Sequence, residues 1–197
     1  NIKNHTIQKK YVSVVQNKLL HQEEWINYIE KKSDKDNSKF HKVEVSKLKE
    51  NDEQKKCITK ITPVKYGKYK NKDITFVEIE IKTGRMHQIR AQASLHNHPL
   101  LGDTAYGGLK IEDFSQDFFL HAKELIFPSE NPINLPNTVN ATLPKPFLEF
   151  TNKFFDSRLT GYFKKQIKLT LLHLKSSLHS FPILCFNFFF IKLSFYK

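Results

Sequence analysis

Apolar and polar positions alternate with a two-residue period just ahead of a glycine. Val77, Ile79 and Ile81 fall on one face, and Glu78, Glu80 and Lys82 on the other. That pattern predicts a half-buried β-strand. Gly84 follows, and a residue without a Cβ can turn the chain sharply at positive φ. Residues 87–96 then set Ile89, Ala93 and Leu95 among polar neighbours, the spacing of a short helix with one apolar face. Strand, glycine corner and helix start together predict free backbone N–H groups beside Arg85 and Arg90, a setting suited to a phosphate or carboxylate.

The same reading along the chain predicts a β-branched strand at 9–15, a brief helical turn at 25–29 and a polar connector at 31–39. An edge strand at 41–48, with Val43 and Val45 on one side, leads into a charge-mixed loop at 47–56. Residues 57–65 and 74–82 alternate as an antiparallel hairpin, with Pro63 suited to an edge. Their connection, 66–73, reads as a long tip mixing two tyrosines with three lysines, able to meet an RNA backbone and stack a base, or simply to be exposed. A buried turn is expected at 98–103 and a strand at 118–127, closed by Pro128. A helix is expected at 151–168, then an aromatic stretch at 181–196 broken by Pro182, Asn187 and Lys192. That stretch is too short for a membrane span and reads as a hydrophobic tail.

The 197 residues suit one domain with a real core. A net charge of +12 and a pI near 9.6 call for a polyanionic partner, either nucleic acid or an anionic membrane surface. Two cysteines outside any C-x-x-C pair point to a reducing, cytoplasmic setting. His96, His98, Asp103 and His121 are too sparse for a zinc site, so no metal is expected. Nucleotide-binding glycine loops and a G-x-S-x-G elbow are missing.

Thr83-Gly84-Arg85-Met86-His87-Gln88-Ile89-Arg90, then His98-Pro99-Leu100-Leu101-Gly102-Asp103, Tyr106-Gly107-Gly108 and Leu120-His121-Ala122 resemble the C-terminal part of an RluA-type RNA pseudouridine synthase over roughly residues 9–150. Lys10-Tyr11 matches that family's K-Y-x-A-x-V strand, with Ser13 in place of alanine, and Asn97 stands where the family has glycine. The resemblance implies an α+β fold, a mixed and mainly antiparallel sheet with short flanking helices. It implies a domain at 1–150 followed by a 151–197 tail, and isomerisation of uridine in ribosomal or transfer RNA. No cofactor and no stable protein partner are implied.

The resemblance makes Arg90 the cation that orients a nucleophilic aspartate and Tyr11 the aromatic that stacks on or hydrogen-bonds the uracil, with Ile89 lining its pocket. Arg85 and Lys10 become candidates for phosphate or scaffold contacts, although Arg85 could instead pair with Glu78 or Glu80. His87 and Gln88 join the substrate-binding candidates. The family carries its aspartate in an R-L-D-x-x-T-S-G segment ahead of the K-Y strand, and residues 1–8 hold no aspartate. The expectation is therefore a fragment, inactive by itself, in which Arg90 lacks a partner and stability is poor. A non-catalytic RNA-binding module is the alternative, and association of the aromatic tail with a membrane surface a weaker one.

Overall fold

The computed structural model describes residues 7–31, 42–112, 117–128 and 136–155, all within one compact unit, Asn1–Leu159. The connector expected at 31–39 falls almost entirely outside the described residues, as do most of the helix expected at 151–168 and all of the aromatic tail.

Among the described residues seven strands form one sheet: β1 (Gln8–Gln16), β2 (Glu23–Lys31), β3 (Val43–Ser46), β4 (Lys55–Tyr69), β5 (Lys72–Ile81), β6 (Leu120–Ile126) and β7 (Thr138–Asn140). They lie in the order β3-β2-β4-β5-β1-β6-β7, and all six pairings are antiparallel. The fold is α+β. β3 is an edge strand, as its weak alternation predicts.

Side chains one apart on a strand point to opposite faces, and each face carries one helix. On the first, α1 (Gln88–Leu95) sets Ile89 and Ala93 against Val15, Trp25, Ile61, Val77, Ile79, Ile81 and Leu100. On the second, α2 (Lys145–Phe154) sets Phe147 edge-on to Phe76 and Phe119, and Phe150 against Phe119 and Tyr69. Each fully buried phenylalanine contributes about 1.5–3 kcal/mol through lost apolar surface. Gly67 is needed where α2 ends, because a Cβ there would collide with the Phe154 carbonyl.

Four expectations change. Residues 25–29 form part of strand β2, with Trp25, Asn27 and Ile29 inward. The buried Asn27 hides the alternation, and its amide oxygen takes bonds from Gln92 Nε2 at 2.7 Å and from His96 Nε2 at 3.0 Å. The β4–β5 tip is two residues long. Lys70 and Asn71 are both left-handed (φ 47° and 62°), as a tight primed turn requires, and Tyr66 to Tyr69 stay paired with Thr75 to Lys72. Pro63 sits in an interior strand, at a register shift just beyond the reach of β2's pairing, which ends at Ile61. α2 begins at Lys145, ahead of the helix start expected at residue 151, with Pro144 as its N-cap.

Candidate active site

The corner between β5 and α1 is built differently from its sequence reading. Gly84 does not take positive φ; His87 does, at 51°, as the N-cap of α1. Gln88 clamps the corner. Its Oε1 accepts from the Thr83 hydroxyl at 2.8 Å and the Arg85 N–H at 3.0 Å, while its Nε2 donates to the Ile58 carbonyl and to Thr59 Oγ1. Gln88 is buried with its amide fully engaged inside the protein, so it supports the site and does not line it. Two of the corner's backbone N–H groups are engaged, that of Arg85 by Gln88 Oε1 and that of Gln88 by the Arg85 carbonyl.

Behind Gln88, Gln92 ties α1 to the sheet. It accepts from the Thr59 hydroxyl at 2.6 Å and donates to the Trp25 carbonyl and Asn27 Oδ1. These bonds leave α1 little freedom to rotate about its axis.

Arg90 is held on three sides. Asp103 Oδ2 accepts from Nε at 2.7 Å and Oδ1 from Nη2 at 2.8 Å, a fork-to-fork pair. The guanidinium lies 4.4 Å from the Phe118 ring centre and 4.8 Å from that of Tyr106. The Arg90 side chain is 17% exposed and that of Asp103 1%. Among the described residues Nη1 makes no hydrogen bond. The expectation of a partnerless Arg90 is thus overturned: the buried turn at 98–103 delivers a carboxylate to it.

Tyr106 also fixes the surroundings. Its oxygen accepts the Val43 N–H at 3.1 Å and lies 3.0 Å from His87 Nδ1. With its oxygen taken by Val43, the hydroxyl proton is left to point at Nδ1, which fits a neutral His87 protonated on Nε2. Burial, reinforced by Arg90, holds the His87 pKa below its ordinary value, and burial raises that of Tyr106. Both groups stay neutral near pH 7.

Tyr11 and Phe118 both pack against the core cluster that contains Ile89, and Phe118 in turn faces Arg90. Burial pushes the Tyr11 phenol up, and among the described residues its hydroxyl has no hydrogen-bond partner. Lys10 does not join them. Its neighbour position on β1 turns it to the other face, where it pairs with Glu124 at 2.8 Å. Arg85 is exposed and its Nε donates to the Lys56 carbonyl at 3.4 Å; the alternative salt bridge with Glu78 or Glu80 is not made. Sequence reasoning misses Asp103, Tyr106 and Phe118 as the neighbours of Arg90. Proximity to Arg90 along the chain is the one available signal for Asp103.

The histidines weighed for a metal are engaged elsewhere. His96 stacks on Trp25, with centroids 4.6 Å apart, and His98 donates to the Gln16 carbonyl. Among the described residues no three such side chains could hold an ion. No helix there is long and apolar enough to cross a membrane.

The fold has counterparts among solved structures. Human RNA pseudouridylate synthase domain containing 1 superposes with a TM-score of 0.61 at 23% identity, covering 78% of this chain and 60% of that one. The class of fold is that of the pseudouridylate synthase domains. The family model described as RNA pseudouridylate synthase matches residues 1–95. Relatives include the RNA pseudouridylate synthase domain-containing protein 1 of Danio rerio, 34% identical over 48% of this chain and 30% of its own length. Ribosomal large subunit pseudouridine synthase C of Rickettsia typhi is 38% identical over 43% of this chain and 27% of its own, and the tRNA pseudouridine synthase C of Pectobacterium carotovorum 34% over 38% and 20%. Over its first 95 residues the chain is similar to the RNA pseudouridylate synthases. It spans under a third of the length of these relatives. The matched region includes Tyr11, Ile89 and Arg90 but ends before Asp103, Tyr106 and Phe118.

Proposed function

We propose that the chain is the uracil-binding part of an enzyme that isomerises uridine to pseudouridine in ribosomal or transfer RNA, in a reducing cytoplasmic compartment. The reaction breaks the C1′–N1 bond, turns the uracil, forms C1′–C5, releases the C5 proton to solvent and leaves N1 carrying a proton taken from solvent, so the product is an isomer and no cofactor is consumed. The target base must leave its stack, at a cost of a few kcal/mol. Tyr11 offers it a ring face and an uncommitted hydroxyl, and Ile89 an apolar wall. Arg90 orients the nucleophilic carboxylate, which attacks the flipped nucleotide.

The observation that carries this reading is the state of Arg90. It is pinned flat by Asp103, Phe118 and Tyr106, with Nη1 uncommitted among the described residues and able to receive a second carboxylate. Asp103 is not that nucleophile, because both its oxygens are committed to Arg90 in a 1%-exposed position. In the resembled family the nucleophile sits in an R-L-D-x-x-T-S-G segment ahead of the strand that matches β1, and residues 1–8 hold no aspartate, so the 197 residues by themselves should be inert. Loss of a nucleophile costs ~10⁴–10⁶ in rate.

Tritium release from RNA whose uridines are tritiated at C5 tests this. It should be absent with the 197-residue chain and present once the upstream segment is joined, and Arg90→Ala should abolish it in the joined chain. A joined chain that stays inert would refute the enzyme. The filled fork of Arg90 also suits the second reading, a non-catalytic RNA-binding module, since no further carboxylate is needed to satisfy the charge. That reading gives salt-sensitive RNA binding with no release in either form.

A further inference from the structure

We infer that Tyr66 is a second RNA contact, a stacking platform for an unpaired base outside the uracil pocket; its path to that pocket rests on the isomerase reading above. Tyr66 is 45% exposed although it lies within β4. Its hydroxyl is anchored, donating to the Leu19 carbonyl at 2.8 Å. The ring is therefore held in place while much of its surface stays open, which reduces the ordering cost of stacking a base on it.

The surroundings select an anionic aromatic ligand. Tyr66 lines a cleft of ≈ 240 Å³ with Lys18, Gly67, Lys68, Asp73 and Ile74. The Lys18 ammonium lies 5.0 Å from the ring centroid, a cation–π contact that a base can replace while the flexible stem carries the charge to an adjoining phosphate. Lys68 is exposed on the same strand two residues on, and alternation keeps it on the face of Tyr66. Asp73, its cross-strand partner, is the one acid in the cleft. Base stacking on an aromatic with lysines on the backbone is how single-stranded nucleic acid is held without sequence preference.

Position ties this platform to the candidate active site. Tyr11 registers with Ile79 and Tyr66 with Thr75, four residues apart on β5, so both tyrosines lie on the face that carries α1. The separation is ~13 Å along the strands and ~10 Å across them, roughly 16 Å in all. At ~3.4 Å per stacked nucleotide, a strand of roughly five nucleotides would link the two rings.

The test uses the full 197-residue chain and fluorescein-labelled RNA, one oligonucleotide unpaired and one fully duplexed, with anisotropy read across a salt series. Tyr66→Ala should weaken the unpaired RNA by about 5- to 100-fold, leave the salt slope unchanged and spare the duplex. Tyr66→Phe should bind within about twofold of the parent, since the ring face is what matters. Lys68→Ala should reduce the log–log salt slope by about 0.7. The indole fluorescence of the Tyr66→Trp variant should be quenched by the unpaired oligonucleotide, with buried Trp25 in the parent chain as the unquenched reference. Equal losses on both RNAs, equal losses in the Ala and Phe variants, no loss at all, or a Tyr66→Trp variant that binds without quenching would each overturn the inference. None of these readouts depends on isomerisation, so failure of tritium release leaves this result standing or falling separately.

Discussion

Replacing Asp103 with alanine is the sharpest perturbation available, because it leaves the whole guanidinium of Arg90 in place and takes away its only hydrogen-bond acceptor among the described residues. Two charge-assisted bonds at 2.7 and 2.8 Å disappear from a pair in which the carboxylate is 1% and the arginine side chain 17% exposed. Breaking a buried pair on one side costs about 3–5 kcal/mol. Two features reduce that figure. The rings of Phe118 and Tyr106 still face the cation, and an edge open to solvent lets water replace part of the lost bonding. We expect ~2–4 kcal/mol for Asp103→Ala on that basis. Asparagine keeps one acceptor without the charge and should cost ~1–2 kcal/mol. With a urea dependence of about 2 kcal/mol per molar, Asp103→Ala should lower the unfolding midpoint by about 1–2 M. A double-mutant cycle with Arg90→Met should return a coupling above ~1 kcal/mol, because each single change strands the other charge. A midpoint within about 0.3 M of the parent, or strictly additive single changes, would refute the claim that this pair organises the site.

Three further outcomes are expected. Gln92→Ala removes the partner of the Thr59 hydroxyl, the Trp25 carbonyl and Asn27 at once; it should cost ~2–4 kcal/mol in urea unfolding and speed amide exchange in α1. Phe147→Ala opens a void between α2 and the sheet and should cost about 3–5 kcal/mol, read as a lower melting temperature. His87, His96 and His121 all have pKa values lowered chiefly by burial, so the unfolded chain binds more protons than the folded one over the interval between the two pKa values. Stability should therefore be fully present above the unfolded-state value of about 6.5 and fall as pH drops through the lower folded values. Urea midpoints from pH 8 to 5 would reveal this, and His121→Gln should flatten part of the slope.

Local pattern is readable where a residue's fate depends on its immediate neighbours. The alternation in β1 and β5, the helix that begins within the T-G-R-M-H-Q-I-R motif and the edge character of β3 all follow from spacing alone. The left-handed turn at Asn97 (φ 62°) is also readable from the residue's tolerance for that region. Residues whose role depends on distant partners are not readable. Trp25 to Ile29 reads as helical because Asn27 interrupts the apolar period, and only the packed α1 supplies the Gln92 and His96 that make a buried asparagine acceptable. Glycine's freedom assigns the sharp corner to Gly84, yet the chain bends at His87, whose ring is secured by Tyr106 from nineteen residues away.

The chain by itself determined its period-two strands, its helix-forming motif, its likeness to the pseudouridine synthases and the identity of the cation at position 90. Tertiary structure decided what that cation faces, that Lys10 lies across the sheet from it, and that Gln88 is a clamp. Periodicity is a property of consecutive residues and survives in any context. The choice of a partner for a charge is made only when separate segments converge and water is excluded from between them.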